Sequence, residues 1–237
     1  VGVVAAIAIF VVYVYGLTFG FSQIRVRHIT LNVSNLPKNF DGYRIVQVSD
    51  MHIGTFNGWR RFILEHEMDS IKHQNANLIV FTGDLQNMRP SEILPFTNLL
   101  KTSMKNAIAV RGNHDYTEYV KLNPKEAEQQ NNDFANIVRH KLGWNLLENN
   151  HITIKRGNDS IVIAGTENDG KPPFPQKANY QKALQGVAKG AFVIMLQHDP
   201  SAWRRHILPK NIAQITLCGH THGGQMQFLG FRPTEIR

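Results

Sequence analysis

The sequence predicts an α/β fold behind an amino-terminal membrane segment. Three observations carry that expectation. Short apolar runs that read as strands are interspersed with helix-like stretches, most of these runs end in short turns rich in Asp, His, Asn and Gly, and the first 21 residues hold neither charge nor proline. A repeated pattern of strand, ligand-bearing turn and helix places the active site of such a core at the carboxyl ends of its strands. A chain of 237 residues can bury a sizeable core and reads as one domain plus an appendage: residues 1–21 as a transmembrane segment and residues 22–237 as the catalytic domain.

The appendage, VGVVAAIAIFVVYVYGLTFGF, spans about 30 Å as a helix at ~1.5 Å per residue, which matches the hydrocarbon core of a bilayer. A cleaved signal peptide has a shorter apolar region, about 7–15 residues, after a basic start, and neither is seen here. Arg25 and Arg27 follow the span directly and favour a cytoplasmic catalytic domain by the positive-inside tendency. The formal net charge of +8 suits an anionic substrate or an anionic membrane surface. Nucleic acid fits less well, because the basic residues are scattered and form neither a basic helix nor an aromatic-basic alternation. Cys218 is the single cysteine, so an internal disulfide and a Cys-rich structural metal site are both excluded. Its own reading is a small buried strand residue.

Taken in order, 29–33 alternates apolar and polar residues and predicts a half-buried strand. Residues 44–49 predict a second strand leading into Asp50-Met51-His52. A helix follows over 59–73, with Phe62, Ile63, Met68 and Ile71 on one face. The continuous apolar run 78–82 predicts a strand buried on both faces that delivers Gly83-Asp84. Ser91 reads as the N-cap of a helix running to about Lys101, and 106–110 as the strand that delivers Gly112-Asn113-His114-Asp115. The polar stretch 118–132 reads as a surface excursion, with a substrate lid as the alternative, and a helix follows over 134–142. Strands are expected at 160–164 and 191–196. The loop Lys171-Pro172-Pro173-Phe174-Pro175 borders the pocket in this reading, and Asp199 with Pro200 reads as a helix start. The apolar run 212–218 ends in Gly219-His220-Thr221-His222-Gly223-Gly224-Gln225.

Two histidines two positions apart project to the same side of an extended backbone, and flanking glycines let the chain turn sharply. His220 and His222 therefore read as ligands presented at a strand end. Together with Asp50, His52, Asp84, Asn113 and His198 they form a mixed nitrogen and oxygen set suited to two first-row divalent ions: Mn, Fe, Zn or Ni rather than Ca. The remaining histidines, at 28, 66, 73, 140, 151 and 206, lie in no ligand-spaced cluster and read as surface or satisfied side chains. Arg111, beside Gly112-Asn113, is a candidate phosphate contact.

The ordered motifs D-x-H, G-D-x-x-[ND], G-N-H-D, an isolated His after a strand and G-H-T-H-G-G-Q resemble those of the calcineurin-like metallophosphoesterases, over about Arg44 to Gln225. More narrowly, the amino-terminal span and the Leu36-Pro37 to Gly42 lead-in are similar to the membrane-anchored bacterial branch, which includes phosphodiesterases and enzymes that cleave UDP-2,3-diacylglucosamine. The resemblance implies a two-sheet α/β/β/α sandwich. It implies that Asp50, His52 and His222 hold one metal, that Asn113, His198 and His220 hold the other, and that Asp84 bridges them. His114 would face the substrate, with Asp115 orienting it, and Thr221 would be structural. The implied activity is cleavage of a phosphodiester or pyrophosphate bond by attack of a metal-bridged hydroxide, on a lipid-linked nucleotide sugar. A nuclease or cyclic-nucleotide phosphodiesterase is the alternative enzyme, and an inactive membrane-tethered metal-binding scaffold the alternative from another class. Such proteins continue through more strands of the second sheet, so a fragment lacking its carboxyl-terminal strands, with an exposed sheet edge, is expected.

Overall fold

A computed structural model describes residues 2–20 and 22–222. The carboxyl-terminal Gly223-Gly224-Gln225 part of the expected motif, the expected missing strands after it and both ends of the expected span lie outside the described residues. The first helix, α1 (Gly2–Tyr15), continues as a π-helical turn over Gly16–Gly20. These 19 residues are long and apolar enough to cross a membrane, and none of them is buried. A helix that is apolar all round and unburied among the described residues is of the kind that lipid accommodates.

Two four-stranded sheets form the rest. The first contains β1 (Ile45–Val48), β2 (Leu78–Phe81), β3 (Ile108–Ala109) and β4 (Asn145–Leu146), all parallel and adjacent in that order. The second contains β5 (Asn150–Arg156), β6 (Asp159–Gly165), β7 (Val193–Leu196) and β8 (Ile215–Leu217). Among the described strands only β5 and β6 pair antiparallel, as a hairpin.

The period of two along each strand divides the side chains between layers. Leu78 and Val80 of β2, Ile161 and Ile163 of β6, and Ile194 and Leu196 of β7 meet in a core between the two sheets. Phe81 and Ala109 point the other way, onto Ile63, Leu64, Met68 and Ile71 of α2 (Arg61–His73), Leu100 of α3 (Thr97–Ser103) and Phe134 of α4 (Pro124–Asn136). Val162, Val193 and Met195 pack with Ile207 of the helical turn Trp203–Ile207 and with Tyr180 of α5 (Tyr180–Ala183). The layers run helix, sheet, sheet, helix, as expected.

Several local expectations are corrected. Residues 29–33 form no strand: no described strand lies beside them, so their backbone has no ladder to join, and Ile29 and Leu31 stay exposed. The buried face of α2 uses Leu64 in place of Phe62, which is 47% exposed. Ser91 does not cap a helix. The turn starts at Pro90, and the Glu92 carboxylate accepts the backbone N–H groups of Asn87, Met88 and Arg89. The excursion over 118–132 contains most of α4, whose start is fixed by Asn123 accepting the Glu126 N–H with Pro124 in the first turn.

Candidate metal centre

Every chemically active turn leaves the carboxyl end of a strand. β1 delivers Asp50 and His52, β2 delivers Asp84, β3 delivers Asn113 and His114, β7 delivers His198, and β8 delivers His220 and His222. Because β1 to β3 lie in one sheet and β7 and β8 in the other, the turns converge over the seam between the sheets. Hydrogen bonds close that seam: Gln47 Nε2 donates to the Cys218 carbonyl at 2.7 Å, and His198 Nδ1 lies 2.7 Å from the Thr82 carbonyl.

The turns are tight. Asp50, His52, Asp84, His220 and His222 all hold positive φ, between 43° and 73°, a region non-glycine residues enter rarely and at some cost in energy. Two glycines make the approach of the loops possible. A methyl group at Gly112 would collide with the Asp84 carboxylate and lie 2.5 Å from its backbone nitrogen, and one at Gly219 would collide with Ser49 Oγ and lie 2.5 Å from Asp50 Oδ2.

The predicted ligand side chains form two groups that share one residue. Asp50, His52, Asp84 and His222 each offer a ligand atom within 4.8 Å of the others, and so do Asp84, His198 and His220. Asn113 joins the second group, its Oδ1 lying 3.1 Å from His198 Nε2 and 2.9 Å from His220 Nδ1. His220 and His222 thus fall in different groups, with the peptide between them setting the separation. The His220 N–H donates to both oxygens of Asp50, at 2.9 and 3.0 Å, which ties the turn after β8 to the turn after β1.

The donor chemistry fits cations. His52 Nε2 and His222 Nε2 face each other at 3.1 Å with their rings stacked, and at most one of the two can carry the hydrogen between them. Asp50 Oδ1 lies 3.2 Å from His222 Nε2, and Asp84 Oδ2 lies 3.2 Å from His198 Nε2 and 3.7 Å from His52 Nε2. Burial pulls the pKa of His52 down, with the charges of His114 and His222 adding to the effect against Asp84 and Asp50. Burial and His198 pull His220 down. Neutral imidazoles are the form that ligates. Burial opposes ionisation of Asp84, but the hydrogen bond and charge of His198, with His114, outweigh it and hold the carboxyl below its usual range. Burial likewise lowers His198, yet its hydrogen bond to Asp84 and that carboxylate's charge raise it to about 9. His198 Nδ1 faces the Thr82 carbonyl, which leaves Nε2 as the atom aimed into the centre.

His114 lies beside both groups. Its backbone N–H donates to Asp84 Oδ1 at 2.8 Å, and its ring meets His52 edge to face at 4.6 Å between centroids. Asp115 does not orient that ring. Its fully buried carboxylate accepts N–H groups from Asp84 and Gly112 on Oδ2 and from Leu85 and Gln86 on Oδ1, which staples the loop after β2 to the loop after β3. The His114 ring is held by the Asn87 carbonyl, 2.7 Å from Nδ1, and by Tyr119, stacked at 4.0 Å.

Arg111 is no phosphate contact. It is buried, its Nε donates to Glu148 and its Nη groups to the carbonyls of Asp115 and Asn131, and it lies over the rings of Phe134 and Tyr116. Asp199 caps the turn behind it by accepting the Ser201 N–H, as expected. Cys218 lies one residue past β8 and is half-buried rather than a buried strand residue; burial and the Asp199 charge push its thiol up to about 12. The other histidines lie outside both groups. Tyr119 was not singled out by the sequence, though it is a lone aromatic in a polar stretch. Its hydroxyl accepts Asn113 Nδ2 at 2.6 Å while its ring covers His114. Phe174 of the 171–175 loop meets His220 edge-on at 5.0 Å, so that loop does border the centre.

Fold and site together define a class: a two-sheet sandwich that gathers aspartates, histidines and an asparagine at strand ends, in groups able to hold metal. A family model for calcineurin-like phosphoesterase matches residues 43–224, and the chain belongs to that family. It is 28% identical over 238 residues to a transmembrane protein with metallophosphoesterase domain from Danio rerio, covering 94% of this chain and 50% of that one. It is 30% identical over 212 residues to an uncharacterized metallophosphoesterase from Aquifex aeolicus, covering 88% of this chain and 73% of the relative. It is 26% identical over 238 residues to the UDP-2,3-diacylglucosamine pyrophosphatase LpxG of Chlamydia trachomatis, covering 81% and 68%. The chain thus spans half the length of the zebrafish relative.

Proposed function

We propose that the chain is a membrane-anchored phosphohydrolase that cleaves a phosphodiester or pyrophosphate bond with two divalent ions, of Mn, Fe, Zn or Ni. The observation that carries this reading is the pair of ligand groups meeting at Asp84. Asp50, His52 and His222 would hold one ion, Asn113, His198 and His220 the other, and Asp84 would serve both, since its carboxylate lies beside His198 of one group and His52 of the other. Bound there, the ions supply positive charge for the phosphoryl oxygens and a water of lowered pKa for in-line attack.

The remaining chemistry falls to side chains. With Nδ1 of His114 donating to the Asn87 carbonyl, its Nε2 is the position that exchanges a proton. It contacts a phosphoryl oxygen or hands that proton to the leaving oxygen, a role worth typically 10²–10⁴ in rate. Residues 1–21 serve as the anchor and residues 22–237 as the catalytic domain, with Arg25 and Arg27 favouring the cytoplasmic face. The name of the chlamydial relative and the anchor together point to a lipid-linked nucleotide sugar as substrate.

The test is hydrolysis of bis-p-nitrophenyl phosphate by the full chain in detergent with Mn. Wild type turns over, and His114→Ala loses about 10²–10⁴ in rate while keeping its metal. No Mn-dependent turnover in wild type, or loss of metal from His114→Ala, overturns the assignment. Lipid-linked nucleotide sugars assayed beside single-stranded DNA and cyclic nucleotides then decide the substrate class.

A further inference from the structure

Four large apolar side chains on segments that adjoin the centre are exposed among the described residues. Trp59 is 65% exposed, Met88 52%, Phe62 47% and Leu94 41%. They come from two neighbouring segments. Trp59 and Phe62, with ring centroids 6.4 Å apart, stand at the start of α2. Met88 precedes the helical turn Pro90–Phe96 and Leu94 lies within it. Arg61 joins the two segments, its guanidinium lying over the Phe96 ring and donating to the Pro95 carbonyl. Both segments also adjoin the centre. The turn Ile53–Phe56 runs from His52 towards Trp59, its Thr55 hydroxyl accepts the Asn87 amide, and the Asn87 carbonyl holds the His114 ring.

The rim of this face is basic. Arg60 lies against the Trp59 ring, Arg61 pairs with Glu65 at 3.0 Å, and Arg89 is exposed. The Glu92 carboxylate is taken up by backbone N–H groups. Exposed tryptophan and arginine around an apolar centre suit the headgroup level of a bilayer, where the ring sits between tail and water and the guanidinium meets lipid phosphate. A second copy of the same face would bring like charges together.

We propose that this face docks on the surface of an anionic lipid bilayer, so that a phosphate at headgroup depth enters the metal centre directly. The proposal rests on the reading of α1 as a membrane anchor. The coil between that helix and the domain gives the face reach: ten extended residues cover about 34 Å at ~3.4 Å each.

The full chain, reconstituted in phosphatidylcholine vesicles with or without phosphatidylglycerol, tests this when part of the lipid carries bromine near the headgroup end of its acyl chains. Tryptophan emission should be quenched more strongly with phosphatidylglycerol. Trp59→Phe should remove most of that quenching, although Trp144 and Trp203 remain. Arg60→Gln, Arg61→Gln and Arg89→Gln combined should return it to the phosphatidylcholine level. Both variants should keep wild-type turnover of soluble bis-p-nitrophenyl phosphate. Quenching unaltered by Trp59→Phe, or sedimentation as a dimer that the same substitution dissociates, overturns the proposal. An alkaline wash reports on the anchor separately. A chain that washes off fails that reading and is assayed with the vesicles added from outside, whereas one that stays without Trp59 quenching fails the docking proposal alone.

Discussion

Asp115→Asn should destabilise the fold more than the substitution of any ligand residue, because Asp115 joins loops rather than aiming a catalytic ring. Oδ1 accepts the Leu85 and Gln86 N–H groups at 2.9 and 3.2 Å, and Oδ2 accepts those of Asp84 and Gly112, both at 2.9 Å. An asparagine keeps one acceptor oxygen and turns an NH₂ group onto the other pair, leaving two buried N–H groups facing a donor. Each unsatisfied group costs about 1–3 kcal/mol, so the pair costs about 4 kcal/mol. Asp115→Ala would orphan four such groups, a loss comparable with the whole stability of a domain, ~5–15 kcal/mol, and is the worse test because it need not fold at all. Urea unfolding of wild type and Asp115→Asn with chelator present keeps metal linkage out of the comparison. An Asn variant within about 1 kcal/mol of wild type, below the cost of a single orphaned N–H, would refute the stapling role.

Two further outcomes follow from the same physical reasoning. Burial raises the pKa of Glu67 in α2 from 4.5 to about 6, so in the folded state this group favours its proton. Its contribution to stability is present below pH 4.5 and lost as pH rises through about 6. Partial exposure limits the cost at neutral pH to about 1–2 kcal/mol, which Glu67→Gln should recover while flattening the stability profile across that window. Superimposable pH profiles for the two proteins would contradict it. Tyr119→Phe removes the hydroxyl that accepts Asn113 Nδ2 but keeps the ring over His114. Loss of such a supporting partner typically weakens metal affinity about 10–100-fold, measured against a competing chelator, and unchanged affinity would show that Asn113 needs no such support.

The parts of the site that the sequence reveals are those written in short motifs at strand ends. Asp50, His52, Asp84, Asn113, His198, His220 and His222 are separated by up to about 170 residues, yet each follows an apolar run, and parallel strands bring their carboxyl ends together. What the sequence hides is whatever acts through the backbone or across sheets. The Asn87 carbonyl that holds His114 has no residue signature, since any residue carries it. Asp115 looked like a partner of its neighbour because it is adjacent in sequence, whereas its contacts lie across a loop some 30 residues away. Arg111 looked free for phosphate because its partners Glu148 and Asn131 are distant in sequence. Residues 29–33 have the alternation of a strand, but alternation describes side chains, and a strand also needs a neighbour for its backbone groups. Tyr119 had no periodic context to mark it, and its relation to the centre shows only in space, where its ring covers His114 and its hydroxyl accepts Asn113 Nδ2.

Metal stoichiometry tests the central claim, that Asp84 joins two ion sites, most directly. The full chain, loaded with Mn, freed of excess and assayed by plasma mass spectrometry, should carry two ions per chain, and Asp84→Asn should carry fewer than one. One ion per wild-type chain, or two retained by Asp84→Asn, would contradict it.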